Sequence, residues 1–454
     1  MDQSVPLGRQ SAPWPSGPWV GIVVAIVFFL LALRQHLFVD SHAVNVMFWD
    51  QWDFYQPLFD GGGLWDLFSR QHGPHRQGLG MLLTALLAWL SDWNSRWDAF
   101  GVSFVLIAAA LAGLALARGC AMRGLGLVVV PLLFFNPRQY ESFVAAANIS
   151  HGAMPLLLLM ALCLTWFVES RGLRHLLLAL CTFLLIFTGF GLFAGLVVPA
   201  VLAMELVRRL HKGLGGVLPL WLTLAAIAGS WLLFCHGYRF DPAVPGFTFP
   251  HPHPGEYLLF MAAMLNNFFG ITSHGDGSLV VGMALLLFLA LILFVHGRQL
   301  WRHGLEGQGR SATLVVLALF ALLFCGQTAV GRVVLGWKEA SATSRYVPLL
   351  VPAALAMALH LAGLGPRWRP RQVVAVFALV VAVGTTRLHQ ADIRFIDRYQ
   401  SGRLAWKAAY LATGDMGKAG ELTGFLIYPA VVLDERLDFL RAKRLNLFNP
   451  DGLP

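Results

Sequence analysis

Charge is what this chain has least of. Only 13% of its 454 residues are charged, against 57% hydrophobic, where a soluble domain carries about 25% charged residues. A water-soluble globular fold with a polar shell is thereby excluded. Cysteine is sparse as well. Cys120, Cys163, Cys181, Cys235 and Cys325 are scattered, mostly within apolar runs, and form no C-x-x-C. An odd, dispersed set rules out a disulfide framework and a thiolate zinc centre, and leaves packing as its role. No stretch of about ten residues alternates apolar with polar, so a membrane barrel is excluded. No internal repeat is visible, which argues against transporters built from inverted repeats. No A-x-A-like cleavage site follows the first apolar run, so residues 19–38 read as an uncleaved anchor.

What is present is a series of apolar runs, with a mean hydropathy of +0.65. Several approach the roughly 20 residues needed to cross a bilayer as a helix. The pattern predicts an all-α polytopic membrane protein with about eleven transmembrane helices: 19–38, 99–117, 124–136, 152–168, 176–188, 191–207, 215–235, 277–296, 311–330, 346–364 and 371–387. Three of these are short, and Thr188–Gly195, TGFGLFAG, reads as a glycine-rich break between two of them. Segment 77–91 is apolar but 15 residues long, and reads as an interfacial or re-entrant helix on the outer side.

Basic residues set the expected orientation. With residues 1–18 cytoplasmic, the inner segments hold 14 Lys or Arg against four acids, Asp2, Glu169, Glu205 and Glu306, and the other 20 acids fall outside. The net charge of +9 is spread as pairs and triplets between apolar runs. That is a loop pattern and excludes a nucleic-acid partner. The predicted organisation is a transmembrane domain over 19–387 with outer loops 39–98 and 236–276, followed by a small outer-side C-terminal region, 388–454. Helical stretches are expected there at Asp392–Leu411 and Val432–Lys443. Acids count little in setting topology, so their crowding outside asks for another cause, such as a site.

The densest crowding is FWDQWDFYQPLFDGGGLWDLFSRQHGPHRQG, Phe48–Gly78. Asp50 and Asp53 are three apart, and on a helix positions i and i+3 share a face. Such a pair can supply a general base or hold a divalent cation, Mg or Mn. The plainer alternative is an interfacial segment with solvated acids, since Trp favours the headgroup level. In QHGPHR, Pro74 forces an extended turn that groups His72, His75 and Arg76 beside the carboxylates. Histidine and arginine there suit a phosphate group. The next outer loop, Asn136–His151, offers Arg138, Glu141, Asn148 and His151. His251, His253 and Glu256 in HPHPGE could touch a metal, but two histidines are too few for a zinc site. Late in the chain, GRVVLGWKEASATSRYVPLL sets Arg332, Lys338, Glu339 and Arg345 between two spans, with Arg345 and Tyr346 at the very start of the second. Arginine at a membrane edge is a functional candidate with an anionic phosphate as partner, or it snorkels to headgroups.

With these residues in view, the chain resembles the GT-C superfamily of integral-membrane glycosyltransferases, which includes protein O-mannosyltransferases and lipid A aminoarabinose transferases. It is similar, more narrowly, to bacterial membrane proteins carrying WD-x-WD, then H-x-x-HR, then a late A-x-x-SRY element, here Trp49–Asp53, His72–Arg76 and Ala340–Tyr346. The resemblance implies a GT-C-like fold with outer-side interfacial helices. It also implies an inverting transferase of hexosyl or pentosyl groups in the bacterial inner membrane, with the active site facing the periplasm. The donor would be a polyprenyl-phosphate-linked sugar and the acceptor an envelope glycan, lipid or protein. Asp50 would then be the base, or base and metal ligand, with Asp53 its helper. Arg345, His75 and Arg76 would hold the donor phosphate, and Trp49, Trp52 and Tyr55 would offer faces to a sugar ring or the membrane edge. In better-known members the acids sit close to the end of the first span, where this chain has Asp40, so Asp40, Asp50 and Asp53 all stand as candidates for the base.

Two rival readings remain. An O-antigen ligase or polymerase uses the same kind of donor and moves whole glycans. A lipid or glycan flippase is not an enzyme and needs charges near mid-span; these spans are almost free of them, His360 being the clearest exception.

Overall fold

A computed structural model describes residues 17–240, 246–272, 275–365, 368–386, 388–429 and 433–449. Arg9, Asp2 and Arg367 of the charge tally, and the last residues of the C-terminal region, lie outside that set. Helix follows helix. The only sheet among the described residues is an antiparallel hairpin of two-residue strands, Gln71–His72 and His75–Arg76. Lipid imposes this economy, because it offers no partner to a peptide group and a helix satisfies its own. Pro18, Pro219, Pro348 and Pro370 stand in the first turns of their helices, where a missing N–H costs nothing.

Among the described residues seven helices are long and apolar enough to cross a bilayer: Pro18–His42, Arg96–Gly119, Gly189–His211, Leu218–Cys235, Asp276–His303, Gly309–Leu335 and Ser344–Ala362. The bent pair Pro370–Thr385 and Gln390–Thr413 makes eight if it is counted as one. The chain is thus an all-α polytopic membrane protein. Each of the eleven apolar segments of the sequence carries a helix among its described residues, but only these seven or eight have the length and hydropathy of a span. Val129–Phe134 has only 6 residues, Ala153–Thr165 has 13, and Arg171–Ile186 and Pro370–Thr385 have 16 each. The Thr188–Gly195 break is real: a 3-10 turn, Gly189–Phe193, runs straight into Ala194–His211. One prediction needs correction. The 236–276 loop carries a further helix, Gly255–Phe268, whose Phe260, Leu265 and Phe268 are buried. It is too short to register as a span, and it packs along Asp276–His303. There Gly282 lets the backbones close, because a Cβ would lie 2.5 Å from the Ala262 carbonyl oxygen.

The two ends of the bundle differ. One is tied by arginine. Glu205 accepts from Arg208 and Arg209, Arg209 reaches Glu306 at 2.9 Å, and Arg310 donates to the Leu359 carbonyl. The other end carries a cap with its own apolar core. Val44, Met47, Trp52 and Tyr55 of the first loop pack with Trp406, Tyr410, Ile427 and Leu437 of the C-terminal region. Sequence treated these as separate outer pieces, whereas they share one core.

Beneath the cap three chain crossings are glycine-tight. Gly78 has φ +47, and a Cβ on it would meet the Phe187 carbonyl oxygen at 2.3 Å; one on Gly80 would meet Ser150 Oγ at 2.1 Å; one on Gly189 would meet the Ser150 carbonyl oxygen at 2.3 Å. Nothing larger fits without moving the backbone that leads into His151. Gly80→Val is expected to destabilise the protein by about 1–3 kcal/mol, read as a lower thermal midpoint in detergent, whereas Gly172→Ala, where a Cβ meets nothing, leaves the midpoint unchanged.

Candidate functional site

Where the cap meets the bundle lies a cavity of about 960 Å³. Asp50 lines it, and the local sequence explains how. Residues 51–54 form a single helical turn whose Gln51, Trp52 and Phe54 are buried. Gln51 Nε2 donates to Asp98 Oδ2 at 3.0 Å, the Tyr55 hydroxyl donates to the same carboxylate at 2.9 Å, and Trp52 Nε1 donates to the Met47 carbonyl at 3.1 Å. With that face consumed, Asp50 is left at the lip. Trp49, just before it, has φ +50, a left-handed conformation that a bulky residue rarely adopts. Its N–H donates to the Ile427 carbonyl of the cap at 2.8 Å, which holds the turn in place. Such strain costs on the order of 1–3 kcal/mol and is typical of functional turns.

Opposite Asp50 stand three histidines. His72 Nε2 lies 3.8 Å from Asp50 Oδ2. The hairpin that carries it turns at Gly73, φ +55, and is anchored by Gln71, whose Nε2 donates to the Arg239 carbonyl. His151 lies between the other two, its ring centroid 5.8 Å from His72 and 5.8 Å from His75. His75 packs on Phe190 at 4.2 Å. Its Nδ1 and the Nε2 of His151 are buried without a hydrogen-bond partner. Glu141 positions Arg345. Its carboxylate accepts from the Arg345 N–H at 3.2 Å and lies 3.9 Å from that residue's Nε, while the Glu141 N–H donates to Ser344 Oγ at 3.1 Å. Arg332, Arg345 and Tyr346 also line the cavity. No carboxylate among the described residues pairs with Arg332.

Electrostatics separates the acid from the histidines. Burial pushes the Asp50 carboxyl up, but the nearby His72, and then the charges of Arg345 and Arg332, outweigh this and leave it below its ordinary value of 3.8. Asp50 is therefore a carboxylate at neutral pH. Burial pulls His75 down to about 3, helped by the charges of His72 and Arg332. Burial also holds His151 well below its usual value, with His75, His72 and the two arginines acting the same way. Both rings are neutral at pH 7.

Not every predicted site residue reaches the cavity. Trp49, Asp50, His72, His75, Glu141, His151, Arg332, Arg345 and Tyr346 do, as does Asn148. Asp53 does not: it accepts from the Tyr428 hydroxyl at 2.7 Å, within the cap interface. Asp50 and Asp53 do share one helical turn, but the Tyr428 hydroxyl of the cap takes up the Asp53 carboxylate while Asp50 lines the open space. Among the described residues no three His, Cys, Asp or Glu group closely enough to hold a metal. Trp52 and Tyr55 are buried in the cap core. Arg76 spends its guanidinium on the carbonyls of Phe234, His236 and Ser69, which clamps the hairpin to the end of Leu218–Cys235. Asp40 pairs with Arg96 at 3.1 Å and lies outside the cavity lining. His251 contacts Glu256 at 3.9 Å, also away from it.

Sequence reasoning missed the cap's contribution. Phe395, Arg398, Tyr399 and Phe425 form part of the wall. The first three stand at i, i+3 and i+4 of Gln390–Thr413, a spacing that a solvated amphipathic helix shows equally well. Comparison of the chain with family models, with curated proteins and with solved structures finds no match to any of them.

The neutral His75 has a consequence for stability. Its folded pKa is depressed, so below 6.5 the unfolded chain takes up a proton that the folded one refuses until about 3. Stability should fall as pH drops from 6.5 toward 3. Thermal unfolding in detergent across that window is expected to show a steeper loss in wild type than in His75→Gln, and parallel curves would refute the assignment.

Proposed function

We propose that this protein is a membrane glycosyltransferase that moves one sugar from a polyprenyl-phosphate donor to an envelope glycan, lipid or protein acceptor. In this reading all eleven apolar segments cross or enter the membrane, and the arginine-tied end faces the cytoplasm of a bacterial cell. The cavity then opens to the outer side of the inner membrane. The observation that carries the reading is the company Asp50 keeps. An ionised carboxylate stands beside His72 in a largely apolar cavity, with Arg332 and Arg345 on the same walls.

The chemistry follows from those placements. An inverting displacement brings the acceptor hydroxyl oxygen to the anomeric carbon while the bond from that carbon to the phosphate oxygen breaks. The bonding pair leaves with the phosphate, and the hydroxyl proton goes to Asp50. Held below the usual carboxylate range, Asp50 is a weak base. It works by orienting the hydroxyl and taking the proton late, as charge builds on the sugar. Arg332 and Arg345 face the charge that collects on the leaving phosphate, and a water-poor cavity strengthens that attraction. Glu141 aims Arg345. Leu192, Leu196, Trp231 and Phe234 give the wall on that side an apolar surface suited to the donor's lipid chain. A flippase has less support, because the charged residues gather at the two ends of the bundle rather than near mid-span.

The test is made on cells that produce the protein. On deletion of its gene, mass spectrometry of envelope glycolipids and glycans is expected to find a species one sugar lighter. Wild type and Asp53→Asn restore the profile, and a well-expressed Asp50→Asn does not. A loss of whole glycan chains points to a ligase or polymerase instead. An unchanged profile, or full rescue by Asp50→Asn, overturns the assignment of Asp50 as the base.

A further inference from the structure

The mechanism leaves one cation of the cavity unused. Asp50 is engaged by His72 and Glu141 by Arg345. Arg332 and Arg345 serve the leaving phosphate. Arg398, on the cap side, is exposed and lines the same cavity, and among the described residues it has no hydrogen-bond or ion-pair partner. It is not isolated. Phe395 and Tyr399, on the same helix face, stack at 4.0 Å, and Phe48 and Phe425 pack against Tyr399 at 5.2 and 6.1 Å. Tyr399 feels the charges of Arg398, Arg345 and Glu141 together. The cap wall is thus a guanidinium beside an aromatic surface, adjoining the first site across Tyr399.

We infer that this wall is the acceptor subsite and that the acceptor carries an anion, a phosphate or carboxylate, next to the sugar ring it presents. The inference rests on the transferase reading. Aromatic faces take the apolar side of a ring while a free guanidinium forks onto an oxyanion. A neutral acceptor would leave Arg398 without a partner. The placement also gives each substrate its own element: the bundle holds the donor and the C-terminal helix reads the acceptor.

The test uses the full-length chain in nanodiscs of zwitterionic phosphatidylcholine. Two probes share one ring, methyl glucoside 6-phosphate and methyl glucoside, and binding is followed by calorimetry. Wild type is expected to take two equivalents of the phosphorylated probe. Arg398→Gln loses one and Arg398→Lys retains it, while the neutral probe binds the cap site at least about tenfold more weakly. Arg332→Gln is expected to lose the other equivalent. If Arg398→Gln binds the phosphorylated probe as wild type does, or the neutral probe binds equally well, the inference is overturned even while Arg332→Gln upholds the donor site. If Arg332→Gln has no effect while Arg398→Gln does, the acceptor charge stands and the donor assignment fails. In discs of phosphatidylglycerol the Arg398-dependent equivalent is expected to persist. Its disappearance there would mean that the arginine serves bilayer headgroups, which also overturns the inference.

Discussion

A hydrocarbon surround offers no hydrogen bond, and nearly every feature of this protein answers to that. Backbone groups are satisfied within helices. Several of the polar side chains that enter the interior do so with partners. Arg138 shows the pattern: its guanidinium meets Asn267 at 2.7 Å and Asp392 at 3.4 Å, and the Tyr140 hydroxyl donates to the same Asp392. Arg403, buried under the cap, donates to the Val144 carbonyl at 2.8 Å. Among the described residues other guanidinium groups have no such partner. Arg332 and Arg398 are of that kind, and both face one cavity.

The cavity is a product of the cap as much as of the bundle. The turn that carries Asp50 is held from below by Asp98 at the head of Arg96–Gly119. From above it is held by Ile427, Tyr428 and Arg436, the last donating to the Trp52 carbonyl at 2.7 Å. Gripped from both sides, the strained Trp49 keeps its left-handed backbone and Asp50 keeps its aim. The same grip removes Asp53 from the cavity. One acid is committed to assembly and the other to the open space, although they stand in a near-repeat, WDQWD.

Apolar length was legible along most of the chain because it depends on composition alone, and a helix of given hydrophobicity needs no distant partner to be recognised. The short pieces were harder. Gly255–Phe268 was hidden because its burial comes from neighbours. The site was legible in part for a related reason. Asp50, His72, Glu141, His151 and Arg345 stand out as polar residues at the edges of apolar runs, where polarity is costly and needs a cause. Arg398 and Tyr399 sit in a polar helix, where one more charge signals nothing. Arg76 and Tyr55 misled for the opposite reason: they look like ligand-binding residues, yet they satisfy buried carbonyls and a buried carboxylate.

The amino-acid sequence by itself determined the class of molecule, the placing of its apolar helices and the crowding of acids, histidines and arginines in the segments between them. These follow from the cost of putting polar groups in lipid, which each segment meets independently. Only the tertiary structure decided which of those residues share a space. That choice rests on contacts between segments hundreds of residues apart, such as Tyr428 with Asp53 and Asn446 with Asn45. Their energies depend on shape and on competing partners, and no local pattern encodes either.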